Sequence, residues 1–283
     1  MNAAVLLVSH GTVDRLDDLP AFLKNVRHGR EAPPELVSEL RKRYEAIGGS
    51  PLTAINERLA KKLEALLGVP VRHASRLWRP SARDAIARLD IERIVVVPLA
   101  QHSAHVYGDA VKRELGERAI VCAENWGQRP ALLDAFAARA RALASRDAVL
   151  LLTAHSLPKR VIAAGDAYER EVRASAAGVT ERVAGAFADV IVAFQSQGPG
   201  SDASEWLGPT LGEAFDAAAA KAKRIVVAPI GFLADHVEIL YDLDVEAKAM
   251  AESRGLAFSR TESLNDADDF VAVLAEIARE LLA

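Results

Sequence analysis

Asp147-Ala148-Val149-Leu150-Leu151-Leu152-Thr153-Ala154-His155-Ser156-Leu157-Pro158 is the stretch whose reading decides the fold. Ala148 to Leu152 form an unbroken apolar run, the pattern of a short strand buried on both faces of a parallel sheet. The run stops at a small residue, a histidine, a serine and a proline. A parallel strand ending this way delivers His155 to the carboxyl edge of the sheet, where open α/β sheets place their ligands.

The same design occurs three more times. Ala3 to Val8 ends in Ser9-His10-Gly11-Thr12, Arg93 to Leu99 runs into Gln101-His102-Ser103, and Arg224 to Ile230 runs on to Asp235-His236. Four of the seven histidines therefore follow strand-like runs, and a shared site is the expectation for that set. The runs also repeat in order. Ala4-Val5-Leu6-Leu7-Val8-Ser9-His10 echoes the stretch from Ala148 to His155, and Arg93 to Leu99 echoes Arg224 to Ile230. Strands alternating with long helical patterns mean βαβ units. The expected fold is α/β, with two similar doubly wound lobes. Each carries a parallel four-stranded sheet flanked by helices, with the active-site cleft between the lobes. The expected lobes are residues 1–145 and 146–283.

Between the strands, amphipathic helices are expected over Asp14 to Gly29, Pro34 to Ile47, Leu52 to Leu67, Pro130 to Ala144, Asp166 to Phe187 and Ala267 to Leu282. Gly48-Gly49-Ser50-Pro51 forces a turn. Gln195-Ser196-Gln197-Gly198-Pro199-Gly200 and Trp206-Leu207-Gly208-Pro209 read as loop. Composition is that of an ordinary globular protein, with 51% apolar and 26% charged residues in a chain of 283. A net charge of −4 argues against a broad nucleic-acid footprint. The one cysteine, Cys122, sits in an apolar run and reads as a core residue; alone it can supply neither a disulfide nor a cysteine-ligated cluster. A reducing, cytoplasmic setting is expected. The first apolar run is too short for a signal peptide, and no run reaches membrane-spanning length.

The informative stretch for chemistry is Asp235-His236-Val237-Glu238-Ile239-Leu240-Tyr241-Asp242-Leu243-Asp244-Val245-Glu246. It has helical propensity from His236, with Asp235 as N-cap. On such a helix Glu238, Asp242 and Glu246 share one face. Carboxylates so spaced repel each other, and a row beginning beside a histidine-bearing edge favours an inward, cation-handling role over a solvated acidic face. A histidine and a glutamate facing each other suit first-row metal binding or proton transfer. The motifs G-x-S-x-G, H-E-x-x-H, G-x-x-x-x-G-K-[ST] and a G-x-G-x-x-G after the first strand do not occur. Arg27, Arg30 and Arg43 cluster at two helix ends, as dipole partners or as clamps for an anionic ligand.

Together these motifs resemble the ferrochelatase family, which inserts ferrous iron into a porphyrin in haem synthesis. The matching segments are Thr153 to Pro158, Arg43-Tyr44-Glu45-Ala46-Ile47-Gly48-Gly49-Ser50-Pro51-Leu52, Phe194-Gln195-Ser196 with Trp206-Leu207-Gly208-Pro209, and Asp235 to Asp242. The resemblance implies that His155 and Glu238 are the catalytic pair, ligating iron and removing pyrrole protons. It makes Asp242 and Glu246 metal-handling residues with a second divalent cation, and Arg27, Arg43, Tyr44 and Ser50 porphyrin-binding. Arg27-His28-Gly29-Arg30 and the Tyr241 to Asp244 continuation are most similar to the short bacterial type acting on coproporphyrin III. In that type a tyrosine precedes the first-strand glycine. Here the position is His10, a porphyrin and metal contact by the same carry-over and a departure from the pattern.

The resemblance further implies Fe²⁺ and porphyrin as substrates; no prosthetic group, no iron–sulfur cluster and no membrane span are expected, and the lack of an obvious dimerisation helix favours a monomer. The alternatives are protoporphyrin IX as substrate, a cobalt or sirohydrochlorin chelatase, and a non-catalytic haem carrier.

Overall fold

The computed structural model describes residues 2–116, 118–197 and 203–283. The expected Gly198-Pro199-Gly200 loop lies outside them. Among the described residues, eight strands form two sheets. The first contains β1 (Ala3–Ser9), β2 (Val71–Ser75), β3 (Arg93–Pro98) and β4 (Ala119–Cys122) in the order β2-β1-β3-β4. The second contains β5 (Ala148–His155), β6 (Asp189–Gln195), β7 (Arg224–Ala228) and β8 (Ala257–Arg260) in the order β6-β5-β7-β8. All six pairings are parallel, and the two orders are the same once β5 is laid on β1. The repeat legible in the sequence is thus a repeat of topology.

Central position explains the unbroken apolar runs. β1 and β5 each have a neighbour on both sides and helices against their faces, and Leu6, Leu7, Leu150, Leu151 and Leu152 are fully buried. Burying one leucine contributes roughly 1.5–3 kcal/mol. β8 escapes sequence reading for the opposite reason. It is a four-residue edge strand, Ala-Phe-Ser-Arg, with exposed and half-buried positions alternating.

The chain forms two compact units. One comprises the chain up to Trp126 with Ala234–Val237 and Asn265–Ala283, and the other Gly127–Leu233 with Glu238–Leu264. This differs from the expected division near residue 145, and side-chain packing explains why. Helix Pro130–Ala142 is bound to helix Tyr168–Arg182, with Arg182 on Asp134 at 2.5 Å, so it belongs to the second unit. The terminal helix Asp268–Leu282 returns to the first unit. Phe270 stacks on Trp126 at 6.3 Å, and Arg93 donates to the carbonyls of Leu281 and Leu282. Ahead of that helix, Arg58 holds Asp266 at 2.9 Å. Among the described residues no helix is long and apolar enough to cross a membrane. Cys122 is half-buried against the β1–β3 core, short of the full burial expected.

Two histidines are buried in the first unit. His73, on β2, is held by Ser9 Oγ at 2.8 Å and Asn56 Nδ2 at 3.3 Å. An amide nitrogen can only donate, so the ring accepts at Nε2 and is neutral. Burial pushes His73 down to about 4, and His102, also buried, down to about 3. Both titrate near 6.5 when unfolded. Below that value the unfolded chain binds protons that the folded chain refuses, so stability is lost as pH falls from about 6.5 towards 4. We expect the melting temperature to drop between pH 7 and 5, each histidine costing on the order of 2 kcal/mol at pH 5. His102→Gln should flatten that slope, and an unchanged slope would count against the assignment.

Candidate active site

Each sheet reverses strand order between its first and third strands, and the crevice at the carboxyl ends of those strands is where such folds bind ligands. In the second sheet these are β5 and β7, and His155 is the last residue of β5. β5 can run three residues beyond its apolar stretch because β6 pairs with it as far as Gln195 opposite His155. The chain leaving β7 passes directly over β5. Gly231 N–H donates to the Thr153 carbonyl at 2.9 Å, and a Cβ on Gly231 would lie 2.5 Å from Ala154 Cβ and 2.6 Å from its Cα. Neither atom can move without moving the strand that presents His155. Gly231→Ala is therefore expected to cost about 1–3 kcal/mol by overpacking. Thermal melting checks this, with the melting temperature falling by several degrees.

The His155 ring is fixed at one nitrogen and faces a carboxylate with the other. Nδ1 lies at 2.5 Å from the Ser156 carbonyl, which can only accept, so Nδ1 carries the proton. On the other side of the ring, Nε2 stands 3.5 Å from Glu238 Oε2. Both side chains are about one-third exposed, at 34% and 33%. Tyr168 Oη supports the strand end by donating to the His155 carbonyl at 2.9 Å, and the Phe232 ring stands 6.4 Å from the imidazole. Glu238 is steadied from beneath, where Gln195 Nε2 donates to its carbonyl at 3.0 Å. Imidazole and carboxylate thus converge, an arrangement suited to sharing a proton or a cation.

The acidic row departs from the expected single helical face. Helix Val237–Leu240 gives way to a π turn, Asp242–Ala247, before helix Lys248–Glu252 resumes. Glu246 N–H reaches back five residues to the Tyr241 carbonyl at 3.0 Å, so the i, i+4 spacing no longer holds one face. Each carboxylate goes its own way. Asp242 is buried and accepts from Ser196 Oγ at 2.5 Å, Asp244 meets Arg260, and Glu246 is exposed. The Asp235 side chain accepts from Asn265 Nδ2 at 2.9 Å, tying this residue to the chain just before the terminal helix. Among the described residues, no group of three or more His, Cys, Asp or Glu side chains is arranged to hold a metal ion.

The histidine set divides. His102 is buried in the first unit and belongs to its interior, while His236 Nδ1 donates to the Ala234 carbonyl at 2.9 Å. His10 is exposed just past β1, edge-on to Phe22 at 6.3 Å between centroids. Gly11 follows with φ +101° and Ser75 and Trp78 Cβ atoms 3.0 Å from where its own would be, which requires glycine. Among the expected porphyrin contacts, Tyr44 is buried with its hydroxyl against Thr12 Oγ1 at 2.8 Å, and Arg43 pairs with Glu39 at 2.7 Å. Arg27 Nε and Ser50 Oγ are buried without a hydrogen-bond partner.

Sequence reading gives no site role to Ser196, which it places in a loop and a matching segment, or to Arg260. Ser196 has φ +59°, a left-handed conformation rare outside glycine, and this turns its hydroxyl onto Asp242.

The family model for ferrochelatase matches residues 2–282. The chain belongs to the ferrochelatase family. A ferrochelatase of Acidobacterium capsulatum is 36% identical, with 98% of this chain and 94% of that protein covered. The coproporphyrin III ferrochelatase of Geobacillus kaustophilus is 33% identical over 97% of this chain and 94% of its own length. The Bacillus subtilis enzyme of the same name is 30% identical over 98% and 97%. Among solved structures, SirB from Bacillus subtilis with Fe3+ superposes with a TM-score of 0.62 at 16% identity, covering 100% of this chain and 96% of that one. At that identity the likeness establishes the two-sheet fold. This ferrochelatase family member inserts iron in haem biosynthesis, its substrates being a porphyrin and iron.

Proposed function

We propose that this ferrochelatase acts on coproporphyrin III, as a metal-inserting lyase in which His155 is the base and Glu238 the metal ligand. The observation that carries the residue assignment is the approach of His155 Nε2 to Glu238 Oε2 at 3.5 Å. Insertion requires two things of a protein. The two pyrrole N–H protons must leave, and a dehydrated cation must be handed to the ring nitrogens. An imidazole with Nδ1 committed to a carbonyl can offer Nε2 as proton acceptor. A carboxylate beside it is a hard oxygen ligand suited to Fe²⁺ and stabilises the imidazolium as it forms. Binding energy from the ring and its carboxylates can be spent on distorting the macrocycle so that its nitrogens face the ion.

Arg27, Arg43 and Ser50 are proposed as contacts for the porphyrin carboxylates, with Tyr44 buttressing that wall from within. The partnerless Arg27 Nε and Ser50 Oγ support this, since buried polar atoms require partners. His10, carried where the coproporphyrin type has tyrosine, is proposed as a porphyrin and metal contact. Asp242 and Glu246 are proposed to handle a second divalent cation along the same segment. The preference for coproporphyrin III rests on relatives of that name at 30–33% identity. We also infer that the protein works as a cytoplasmic monomer without a prosthetic group.

Anaerobic insertion of Fe²⁺ into coproporphyrin III and protoporphyrin IX, followed side by side by absorbance, tests the reading. Faster turnover of coproporphyrin supports it. Preference for protoporphyrin would place the protein at the last step of haem synthesis and overturn the substrate assignment.

A further inference from the structure

We propose that Arg260, acting through Asp244, is a positioning residue that holds the acidic π turn in the register aiming Glu238 at His155 and Asp242 at Ser196. The inference rests on the reading that this segment handles iron. Arg260 is the last residue of β8, where the register with β7 places it opposite Val227. Its side chain is only 13% exposed and grips Asp244 with both edges of the guanidinium, Nε on Oδ1 at 2.6 Å and Nη2 on Oδ2 at 2.8 Å. The remaining nitrogen, Nη1, donates to the Thr261 carbonyl at 2.9 Å. The fork is thereby pinned to the strand end as well as to the turn.

A bidentate clamp matters here because π geometry is the less stable alternative to an α-helix. Relaxing the turn to α would remove the five-residue hydrogen bond from Glu246 to Tyr241 and rotate the residues before it by about 100° relative to those after it. Asp242 would leave Ser196, and the strained φ of Ser196 would lose its purpose. Three ties resist that relaxation: Gln195 to the Glu238 carbonyl, Ser196 to Asp242, and Arg260 to Asp244. The first two come from the end of β6. Arg260 alone of the three comes from β8 and carries charge, so it sets the turn against the opposite side of the sheet. Lysine cannot replace it fully, since a point charge lacks the planar fork.

The test is steady-state kinetics on the full chain, under anaerobic conditions, for Arg260→Gln, Arg260→Lys and Asp244→Asn. For Arg260→Gln and Asp244→Asn, KM for Fe²⁺ is expected to rise about tenfold while KM for porphyrin stays within about twofold, with Arg260→Lys between wild type and these. In an Asp242→Asn background the Arg260→Gln change should add less than about twofold, because the residue acts through that segment. A purely structural role would instead lower the melting temperature and leave KM for Fe²⁺ in place. KM for Fe²⁺ unchanged in a folded Arg260→Gln protein overturns the proposal, and Asp244→Asn decides the matter if Arg260→Gln does not fold. Failure of the wild-type protein to insert iron into either porphyrin removes the functional reading itself, and this proposal with it.

Discussion

Replacing His155 by alanine is expected to lower kcat for iron insertion by about 10²- to 10⁴-fold, the range associated with a positioned general base. The physical reason lies in the ring's surroundings. Its Nδ1 proton is committed to the Ser156 carbonyl, so the imidazole cannot swing away and Nε2 is the nitrogen turned to Glu238. The strand end that carries it is locked by Gln195 across the ladder and by Gly231 packed on Ala154. Alanine removes the acceptor while leaving that backbone in place. Porphyrin binding, read by fluorescence, should be nearly unchanged, and the melting temperature should hold because the residue is one-third exposed. Turnover near the wild-type rate in His155→Ala would remove the base from the proposed mechanism.

Glu238→Gln is expected to lower kcat/KM for Fe²⁺ by about 10²-fold, with a melting temperature equal to or above that of the wild type. The amide matches the carboxylate in shape but has one donor group. That NH₂ can donate to His155 Nε2 across the present 3.5 Å gap and so compete with a proton or cation there. One substitution thus removes an anionic metal ligand and occupies the base. Stability gained where activity is lost would mark the pair as held in place for chemistry. Kinetics of Fe²⁺ and a thermal melt on the same preparation test both halves, and an unaltered Fe²⁺ dependence would sink the ligand role.

Much of the fold was legible because its central strands obey a simple rule. A strand flanked on both sides and covered on both faces must be apolar throughout, so β1, β3, β5 and β7 stand out as unbroken runs. β8 follows no such rule, being short and at the edge, and it was passed over although Arg260 sits on it. The path of the terminal helix back to the first unit was also hidden. Its apolar stripe shows that it packs, but the stacking partner Trp126 lies far away in sequence.

The site divides along the same line. The order of residues alone determined that His155 ends a buried strand, that Glu238 begins an acidic segment after another, and that the segments occur in the ferrochelatase arrangement. These are properties of local hydrophobic pattern and motif order. Only the tertiary structure decided which charges meet. In the π turn a backbone hydrogen bond reaches five residues rather than four, from Glu246 to Tyr241, and Asp242 lies inward while Glu246 remains exposed. Ser196 meets Asp242 through a left-handed backbone conformation that a serine does not advertise. His102 looked like a ligand by position, yet burial in the first unit holds it neutral. Side-chain partnership and burial are set by packing between distant segments, and no local pattern of residue types encodes them.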